Sequence, residues 1–278
     1  MTDHRRRWLA DTDWLAANLS APDLRVIDGS WYLPAMGRDA KREFEDAHIP
    51  GAVFLDLDDV SARDTDLPHM LPRPEVFSSH MRRLGVGDGQ RIVVYDGHGL
   101  FSAPRIWWMF RAMGVEDVMV LDGGLPKWIA EGRATDDAHR PQQQRHFSAR
   151  RNAGLVADRD DVARALQSGG RTVIDARPAE RFSGMAPEPR EGVRSGHEPG
   201  TVNLPFSDLV TEDGTLKTNS DLARLFSDAG IDASRSTIAM CGSGVTAAIP
   251  VLAMAVLGRS SVSLYDGSWA EWGREAAT

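Results

Sequence analysis

The fold is decided by residues 236–258, which read STIAMCGSGVTAAIPVLAMAVLG. A β-branched apolar run ends at Met240, a glycine-rich loop follows from Cys241, and an apolar helical pattern begins near Ala247. A strand that leads through a short loop into a helix is the unit from which parallel α/β sheets are built. The sequence therefore predicts an α/β domain with Cys241 in the strand-to-helix loop.

Four segments of the first half recur, in order and at a nearly constant spacing, in the second half. The pairs are LRVIDGSWYL (24–33) with RTVIDARPAE (171–180), HIPGAVFLDL (48–57) with HEPGTVNLPF (197–206), RIVVYDGHG (91–99) with STIAMCGSG (236–244), and VMVLDGGLPKW (118–128) with VSLYDGSWAEW (262–272). A repeat this long indicates a duplicated globular domain and not a solenoid. We predict two tandem domains, residues 1–135 and 154–278, joined by a polar linker at 136–153.

Within each copy, short β-branched runs alternate with helical patterns. Six runs predict strands: Leu24–Ile27, Arg91–Tyr95, Val118–Leu121, Thr172–Ile174, Ser236–Met240 and Val262–Tyr265. Helix signals lie between them, since Ser102 and Gly114 bound one helix and Ser220 and Gly230 bound another. This alternation predicts, in each domain, a parallel sheet with helices on both faces.

The composition restricts the class of protein. The chain has 278 residues, is 42% hydrophobic and 26% charged, and carries a net charge of −8, which is typical of a folded domain protein and offers no basic surface for nucleic acid or an anionic membrane. With a single cysteine no internal disulfide can form, so we expect a cytoplasmic protein. We interpret the basic cluster Arg5–Arg7 as a solvated lead-in to the first helix.

Cys241 is a candidate nucleophile. The glycines that follow it let several N–H groups point at one atom, and those dipoles favour an anion such as a thiolate or persulfide. By residue type alone, a small buried structural cysteine is the commoner case. A core cysteine has no need of a glycine-rich loop, however, so we expect a charged, accessible thiol at the mouth of the sheet.

Two other functions of a strand-to-helix loop fit this sequence less well. The run from Gly242 to Ala247 matches the dinucleotide pattern G-x-G-x-x-A, with Asp266 in the usual place of the ribose-binding acid. The motif lies too near the end of the chain to leave room for a second mononucleotide-binding half. A cysteine phosphatase would need an arginine at position 247, where this chain has alanine.

The loop CGSGVTA from Cys241 resembles the active-site loop of the 3-mercaptopyruvate sulfurtransferases, two-domain members of the rhodanese superfamily. The likeness, nearest to the bacterial type, continues through HIPGAVFLDLD (48–58), LPHMLPRPEVF (67–77), LFSAPRIWWMFRAMGV (100–115), EPREGVRSGHEPGTVNLPF (188–206) and LYDGSWAEWG (264–273). It implies tandem rhodanese-like domains and an enzyme that carries sulfur as a Cys241 persulfide without a metal or organic cofactor. It also implies that the first domain is non-catalytic, since Asp96 stands in place of the cysteine.

The resemblance also assigns substrate-binding residues. It implies that Arg181 and Arg190 bind the carboxylate and keto group of 3-mercaptopyruvate, a task suited to the planar guanidinium. We expect Gly242, Gly244, Val245 and Thr246 to complete the substrate-binding site, because the backbone N–H groups of this loop can hold the Cys241 persulfide anion. Related thiosulfate sulfurtransferases carry cationic side chains where Gly242 and Ser243 stand here, which favours mercaptopyruvate as the donor.

Ser243, His69 and Asp58 match a proposed proton-handling triad of the same family. Because Asp58 and His69 belong to the first copy, we expect the site in the cleft between the domains. His48 and His197 lie in H-x-P-G turns of both copies, and we interpret them as structural. Because a single cysteine cannot discharge a persulfide through an internal disulfide, we expect an external acceptor: a small thiol, a reduced dithiol protein such as thioredoxin, or cyanide. A thiosulfate-preferring enzyme and a non-catalytic sulfur-carrier or binding module stay open as alternatives.

Overall fold

The computed structural model describes residues 4–138, 141–232 and 234–274. The elements of the first half are, in order, α1 (His4–Trp8), β1 (Leu9–Ala10), α2 (Thr12–Asn18), β2 (Leu24–Asp28), α3 (Ala40–Asp46), β3 (Val53–Phe54), α4 (Leu57–Val60), α5 (Pro74–Arg83), β4 (Arg91–Tyr95), α6 (Ala103–Ala112), β5 (Val118–Leu121) and α7 (Gly124–Ala130). A short 3₁₀ helix, Pro34–Met36, lies between β2 and α3.

The second half repeats this plan. Its elements are β6 (Val156–Ala157), α8 (Arg159–Ser168), β7 (Thr172–Asp175), α9 (Ala179–Ser183), β8 (Thr201–Asn203), α10 (Asn219–Asp228), β9 (Thr237–Met240), α11 (Ala248–Val256), β10 (Val262–Tyr265) and α12 (Ser268–Trp272). Two 3₁₀ helices, Ala153–Leu155 and Phe206–Leu209, precede β6 and α10.

The strands form two five-stranded sheets of the same topology. The strand order is β1-β5-β4-β2-β3 in one sheet and β6-β10-β9-β7-β8 in the other, and every strand pair is parallel. The duplicated α/β fold is therefore confirmed. The six predicted strands are the longer ones; β1, β3, β6 and β8 were not predicted, because two or three residues are too few to show a pattern.

Both faces of each sheet are covered, as predicted. In β4 the side chains of Ile92 and Val94 lie in one apolar cluster, while Val93 and Tyr95 lie in another, with Trp128. Alternate residues of a strand point to opposite faces, and all four strand residues are almost fully buried. The sheet is thus packed between two apolar layers, as near-continuous hydrophobic strands require.

The two copies share one apolar core. The helices α6 and α11 pack against each other, and the cluster that contains them includes residues of both halves. The helix α1 also contacts α11, and the Arg5 guanidinium binds the carboxylate of Asp122 at 3.0 Å and the backbone carbonyl of Leu216 at 2.7 Å. Our interpretation of Arg5 as a solvated lead-in is wrong: it joins the first copy to the second.

The helix boundaries differ in detail from the prediction. Ser102 precedes α6 without capping it, because its hydroxyl donates to the carbonyl of Gly29 at 2.8 Å. The helix α10 is capped by Thr218, and not by Ser220, through an acceptor contact with the N–H of Asp221. Gly114 follows α6 with φ +87°, the left-handed conformation that favours glycine at a helix end.

The described part of the predicted linker, residues 136–138 and 141–153, lies against the first copy. Phe147 is buried against Phe77 and Phe110, so this segment adds to the core of that domain. We propose domain limits of 1–135 and 154–278 with the segment 136–153 between them. In the described part of the chain, no helix has the length and apolar character needed to cross a membrane.

Candidate active site

The loop after β4 shows that this loop geometry binds an anion. Asp96 is fully buried, and its carboxylate accepts five backbone hydrogen bonds at 2.8–2.9 Å. The donors are the N–H groups of His98, Gly99, Phe101, Ser102 and Ala103. Five converging amides make a strong anion site, and in this copy the protein's own carboxylate fills it.

The loop after β9 repeats this geometry around Cys241. The positions that match the Asp96 donors are residues 243, 244, 246, 247 and 248. Among the described residues, no partner accepts a hydrogen bond from the backbone N–H groups of residues 242–247. The helix α11 begins directly after the loop, and its dipole adds positive potential there. This loop therefore presents unpaired amide donors beside a thiol, where the first copy presents a carboxylate.

Cys241 is more buried than we expected. Its exposed fraction is 2%, so the expectation of an open thiol at the mouth of the sheet is wrong. Its backbone is held by Ser268, whose hydroxyl accepts from the Cys241 N–H at 3.2 Å, and its carbonyl accepts from the N–H of Trp269. His69 of the first copy contacts Ser243, two residues after Cys241, at 3.0 Å, so the buried thiol lies close to where the two copies meet.

The predicted triad is assembled across the two copies. Nδ1 of His69 lies 3.0 Å from Oγ of Ser243, and Nε2 of His69 lies 3.2 Å from Oδ1 of Asp58. His69 and Ser243 are buried, with 6% and 7% of their surface exposed, while the Asp58 side chain is 65% exposed. Ser243 follows Cys241 by two residues, so the chain of hydrogen bonds ends beside the thiol.

The charge of Asp58 is stabilised by its neighbours. The hydrogen bond with His69 lowers the pKa of Asp58 below its ordinary value, against the opposing effect of partial burial. The indole N–H of Trp31 donates to the other carboxylate oxygen at 3.0 Å, and the Trp31 ring meets the His69 ring edge-on at 4.7 Å. Asp58 is therefore an anion at neutral pH, with both oxygens engaged.

The two predicted substrate arginines differ in their partners. Arg181 forms an ion pair with Glu188, a side chain that is 3% exposed and also binds the buried Arg177 at 2.7 Å. Arg190 has no ion pair within the described residues, and partial burial lowers its pKa, which nearby Cys241 raises again. Its charge also interacts with Arg181, Glu188 and Asp58, so both guanidinium groups belong to the surroundings of the thiol.

Gly242 lies next to the guanidinium of Arg181. A Cβ atom at position 242 would stand 2.9 Å from Nη2 of Arg181, which is closer than side-chain atoms normally approach. The other predicted loop residues are the turn residue Gly244, with φ +77°, the buried Val245 and Thr246, whose carbonyl accepts from the N–H of Ile249. Gly242 therefore leaves the space in which Arg181 lies.

Several residues of the site were not predicted. Glu188 belongs to the segment 188–206 that resembles the family, but the resemblance assigns it no role. Nothing in the sequence marks Trp31 or Ser268 as residues of a functional site. Asp266, for which the sequence indicates only a ribose-binding role, is 4% exposed and forms an ion pair with Arg105 at 2.7 Å. This carboxylate is not free to bind a ribose, which weighs further against the dinucleotide interpretation.

The repeated histidines act in the turns, as we interpreted them. His48 stacks on Phe44 at 4.1 Å, and His197 stacks on Phe182 at 4.0 Å. In both cases Nδ1 lies within hydrogen-bond distance of the carbonyl of that same phenylalanine. The matching pairs are therefore structural features of the duplicated fold.

Comparison with known proteins identifies the family. The family model described as the rhodanese-like domain matches residues 11–131 and, a second time, residues 158–275. The chain belongs to the rhodanese family. Each matched range contains four strands of its five-stranded sheet, and β1 or β6 lies just before it. The family predicted from the Cys241 loop is confirmed.

The relatives of these rhodanese domains span the whole chain. The human 3-mercaptopyruvate sulfurtransferase is 43% identical over 272 residues, covering 96% of this chain and 92% of the human one. The mouse thiosulfate sulfurtransferase is 41% identical over 280 residues, covering 97% and 93% of the two chains. A crystal structure of a 3-mercaptopyruvate sulfotransferase from Escherichia coli superposes with a TM-score of 0.87 at 42% identity, covering 95% of this chain and 99% of the other.

Proposed function

We propose that this protein transfers sulfur from 3-mercaptopyruvate to an external acceptor through a persulfide on Cys241 and releases pyruvate. The full-length similarity to 3-mercaptopyruvate sulfurtransferases supports this activity. The unpaired amides around Cys241 support an anionic sulfur intermediate, because the equivalent amides of the first copy bind the carboxylate of Asp96.

The single observation that carries the choice of donor is the place of Arg181 over Gly242. A long cationic side chain at position 242 would occupy the space of the Arg181 guanidinium. The positive charge of this pocket therefore comes from Arg181 and Arg190, two planar groups that can each bind a carboxylate or keto oxygen in a fixed orientation. An α-keto acid end fits this pair better than a sulfonate group does.

The first half of the reaction forms the persulfide. Arg181 and Arg190 bind the α-keto acid end of the donor and direct its sulfur toward Cys241. The Cys241 thiolate attacks that sulfur, so that an S–S bond forms, the C–S bond breaks, and the electron pair of the C–S bond passes to pyruvate as its enolate. The thiol proton of the donor remains on the outer sulfur until the persulfide ionises.

The enolate carbon must then receive a proton. Ser243 is the hydroxyl nearest to Cys241 in the chain, and His69 and Asp58 stand behind it at 3.0 and 3.2 Å. In our proposal Ser243 gives its proton to the carbon and recovers one from His69, while the charge of Asp58 stabilises the imidazolium form. Positioned proton transfer of this kind contributes about 10²–10⁴-fold to rate.

The second half of the reaction discharges the persulfide. The amides of the loop hold the Cys241 persulfide anion, and an acceptor thiolate attacks the outer sulfur, which returns Cys241 to its thiolate form. Because the chain has one cysteine, no internal disulfide can release the sulfur. We propose a small thiol, a reduced dithiol protein such as thioredoxin, or cyanide as acceptor, and the cytoplasm as the location.

The test compares two sulfur donors under the same conditions. Pyruvate release from 3-mercaptopyruvate and sulfite release from thiosulfate are measured with and without reduced thioredoxin, and kcat/KM is obtained for each donor. We expect the larger kcat/KM with mercaptopyruvate and faster turnover with thioredoxin. A larger kcat/KM with thiosulfate would instead favour the second candidate, a thiosulfate sulfurtransferase, which the similarity to the mouse enzyme keeps open. If neither pyruvate nor sulfite is released, the remaining candidate function is that of a non-catalytic sulfur-carrier or binding module.

A further inference from the structure

A buried arginine of the non-catalytic domain reaches into the active site of the other domain. Arg105 lies in the first turn of α6, and its side chain is fully buried. Its guanidinium donates to the backbone carbonyl of His69, to Oδ1 of Asp266 at 2.7 Å and to the carbonyl of Gly244 at 3.3 Å. One group therefore contacts the turn that holds His69 and the loop that holds Ser243.

The turn that Arg105 contacts has a strained backbone. His69 has φ +60°, a conformation that residues with a side chain rarely adopt and that the surroundings must stabilise. Arg105 binds the carbonyl of His69, and Oδ2 of Asp266 accepts from the N–H of Leu71 at 2.7 Å. The Arg105–Asp266 pair thus fastens the turn at both ends, on either side of Met70.

We propose that Arg105 and Asp266 are positioning residues that direct the imidazole of His69 toward Ser243. Neither group touches the thiol; both act through the His69 turn, and Arg105 also acts through the carbonyl of Gly244, the residue after Ser243. The proposal rests on the proton-handling role of His69 proposed above. It explains why the non-catalytic copy is needed for the chemistry of the other copy, beyond supplying side chains to the cleft.

The duplication supplies a matched control. Asp122 is the counterpart of Asp266 in the first copy: its Oδ1 accepts from the N–H of Leu216 at 2.7 Å, and its Oδ2 binds Arg5 at 3.0 Å. This pair joins the two domains in the same manner, but none of its partners belongs to the triad or to the Cys241 loop. Replacing Asp122 therefore weakens the junction between the domains without touching the His69 turn.

The test measures steady-state kinetics of three single variants. Arg105→Lys keeps the charge but loses the fork of directed donors, and Asp266→Asn keeps an acceptor for the Leu71 N–H but loses the charge. A misplacement of reacting groups by about 1 Å can cost about 10²-fold in rate. We expect Arg105→Lys and Asp266→Asn to lower kcat by about 10–10²-fold with KM for mercaptopyruvate changed less than threefold, while Asp122→Asn leaves kcat within twofold. Asp266→Asn carries the test if the lysine variant does not fold, as judged by circular dichroism.

A double-mutant cycle with His69→Ala separates the possible failures. If Arg105 acts through His69, then Arg105→Lys or Asp266→Asn will cause little further loss of kcat once His69 is removed. An equal loss in both backgrounds, or an equal loss in Asp122→Asn, would overturn the positioning role. Unchanged kcat in His69→Ala would refute the proposed proton relay itself, whereas a loss in His69→Ala with unchanged kcat in both positioning variants would refute only the present inference.

Discussion

The space above Gly242 leads to the sharpest prediction about substrate binding, tested by Gly242→Ala. The added Cβ would stand 2.9 Å from Nη2 of Arg181, while the next nearest atoms, Cζ and Nη1 of the same side chain, are 3.8 Å away. Gly242 does not have a positive φ, so alanine can adopt its backbone conformation. Among the neighbouring atoms, only Nη2 at the end of the Arg181 side chain must move.

The size of the effect follows from this geometry. The Arg181 nitrogen must withdraw by about half an ångström to reach 3.4 Å, the lower limit of ordinary van der Waals contact. Glu188 already binds Nη2 of Arg181, so the retreat moves a group that is held in place. A hydrogen bond to a charged group contributes about 1.5–3 kcal/mol, and loss of half of this is about a three- to tenfold change in an equilibrium constant. We expect KM for mercaptopyruvate to rise about three- to tenfold, while the free energy of unfolding changes by less than about 1 kcal/mol.

The assay is steady-state pyruvate release, with urea unfolding as the measure of stability. Gly170→Ala is the control, because Gly170 lies at an exposed site far along the chain from the loop and its added Cβ would meet only the Ser168 hydroxyl. A variant of Gly242 with normal stability and an unchanged KM would refute the reasoning, because it would mean that Arg181 can move without effect on the substrate.

Three further predictions concern charge. Arg190→Ala should raise KM for mercaptopyruvate about tenfold, through loss of a charge-assisted contact, while the exposed Arg164→Ala should not; equal KM values in both variants would count against carboxylate binding by Arg190. Glu188→Gln removes the anion paired with Arg181 and so makes the pocket more positive. The ratio of kcat/KM for dianionic thiosulfate to that for mercaptopyruvate should therefore rise several-fold; a lower ratio would contradict this. Burial raises the pKa of Asp28 from 3.8 to about 6, so the stability associated with its neutral form, about 3 kcal/mol, is present below pH 4 and is lost as the pH rises through 6. Calorimetry should show that Asp28→Asn reduces the fall of Tm between pH 4 and pH 6, and an undiminished fall would exclude Asp28 as its cause.

Much of the fold could be predicted from local patterns. The longer strands are β-branched runs between Asp and Gly residues, and the repeated segments place them twice in the same order. The edge strand β1, with only Leu9 and Ala10, has no period of its own, because tertiary pairing with β5 creates it. The packing of α1 on the second copy was missed for the same reason. In the sequence Arg5 has no visible partner, and only the folded chain places Asp122 and Leu216 beside it.

The candidate site could be predicted as a set of residues, but not as an arrangement. The resemblance named Cys241, Ser243 and both arginines, and the structure brings them together with His69. The burial of the Cys241 thiol and the contact of Arg105 with the His69 turn arise where the two domains meet. The spacing of residues along the sequence does not show which residues of one domain will contact the other. The sequence does carry one signal for Arg105. It lies in the first turn of APRIWWMFRA, a helix with apolar residues around almost its whole circumference. A cation buried in such a helix needs a partner that offsets its charge.

The most direct test of the central claim is the mass of the protein after reaction with 3-mercaptopyruvate in the absence of any acceptor. The account predicts a gain of one sulfur atom, located on the peptide that contains Cys241 and lost again on addition of a thiol, together with one pyruvate released per chain. Cys241→Ser should gain no sulfur and release no pyruvate while it keeps the native circular dichroism spectrum. Pyruvate release by that variant, or release by the native protein with no added sulfur, would contradict a persulfide on Cys241.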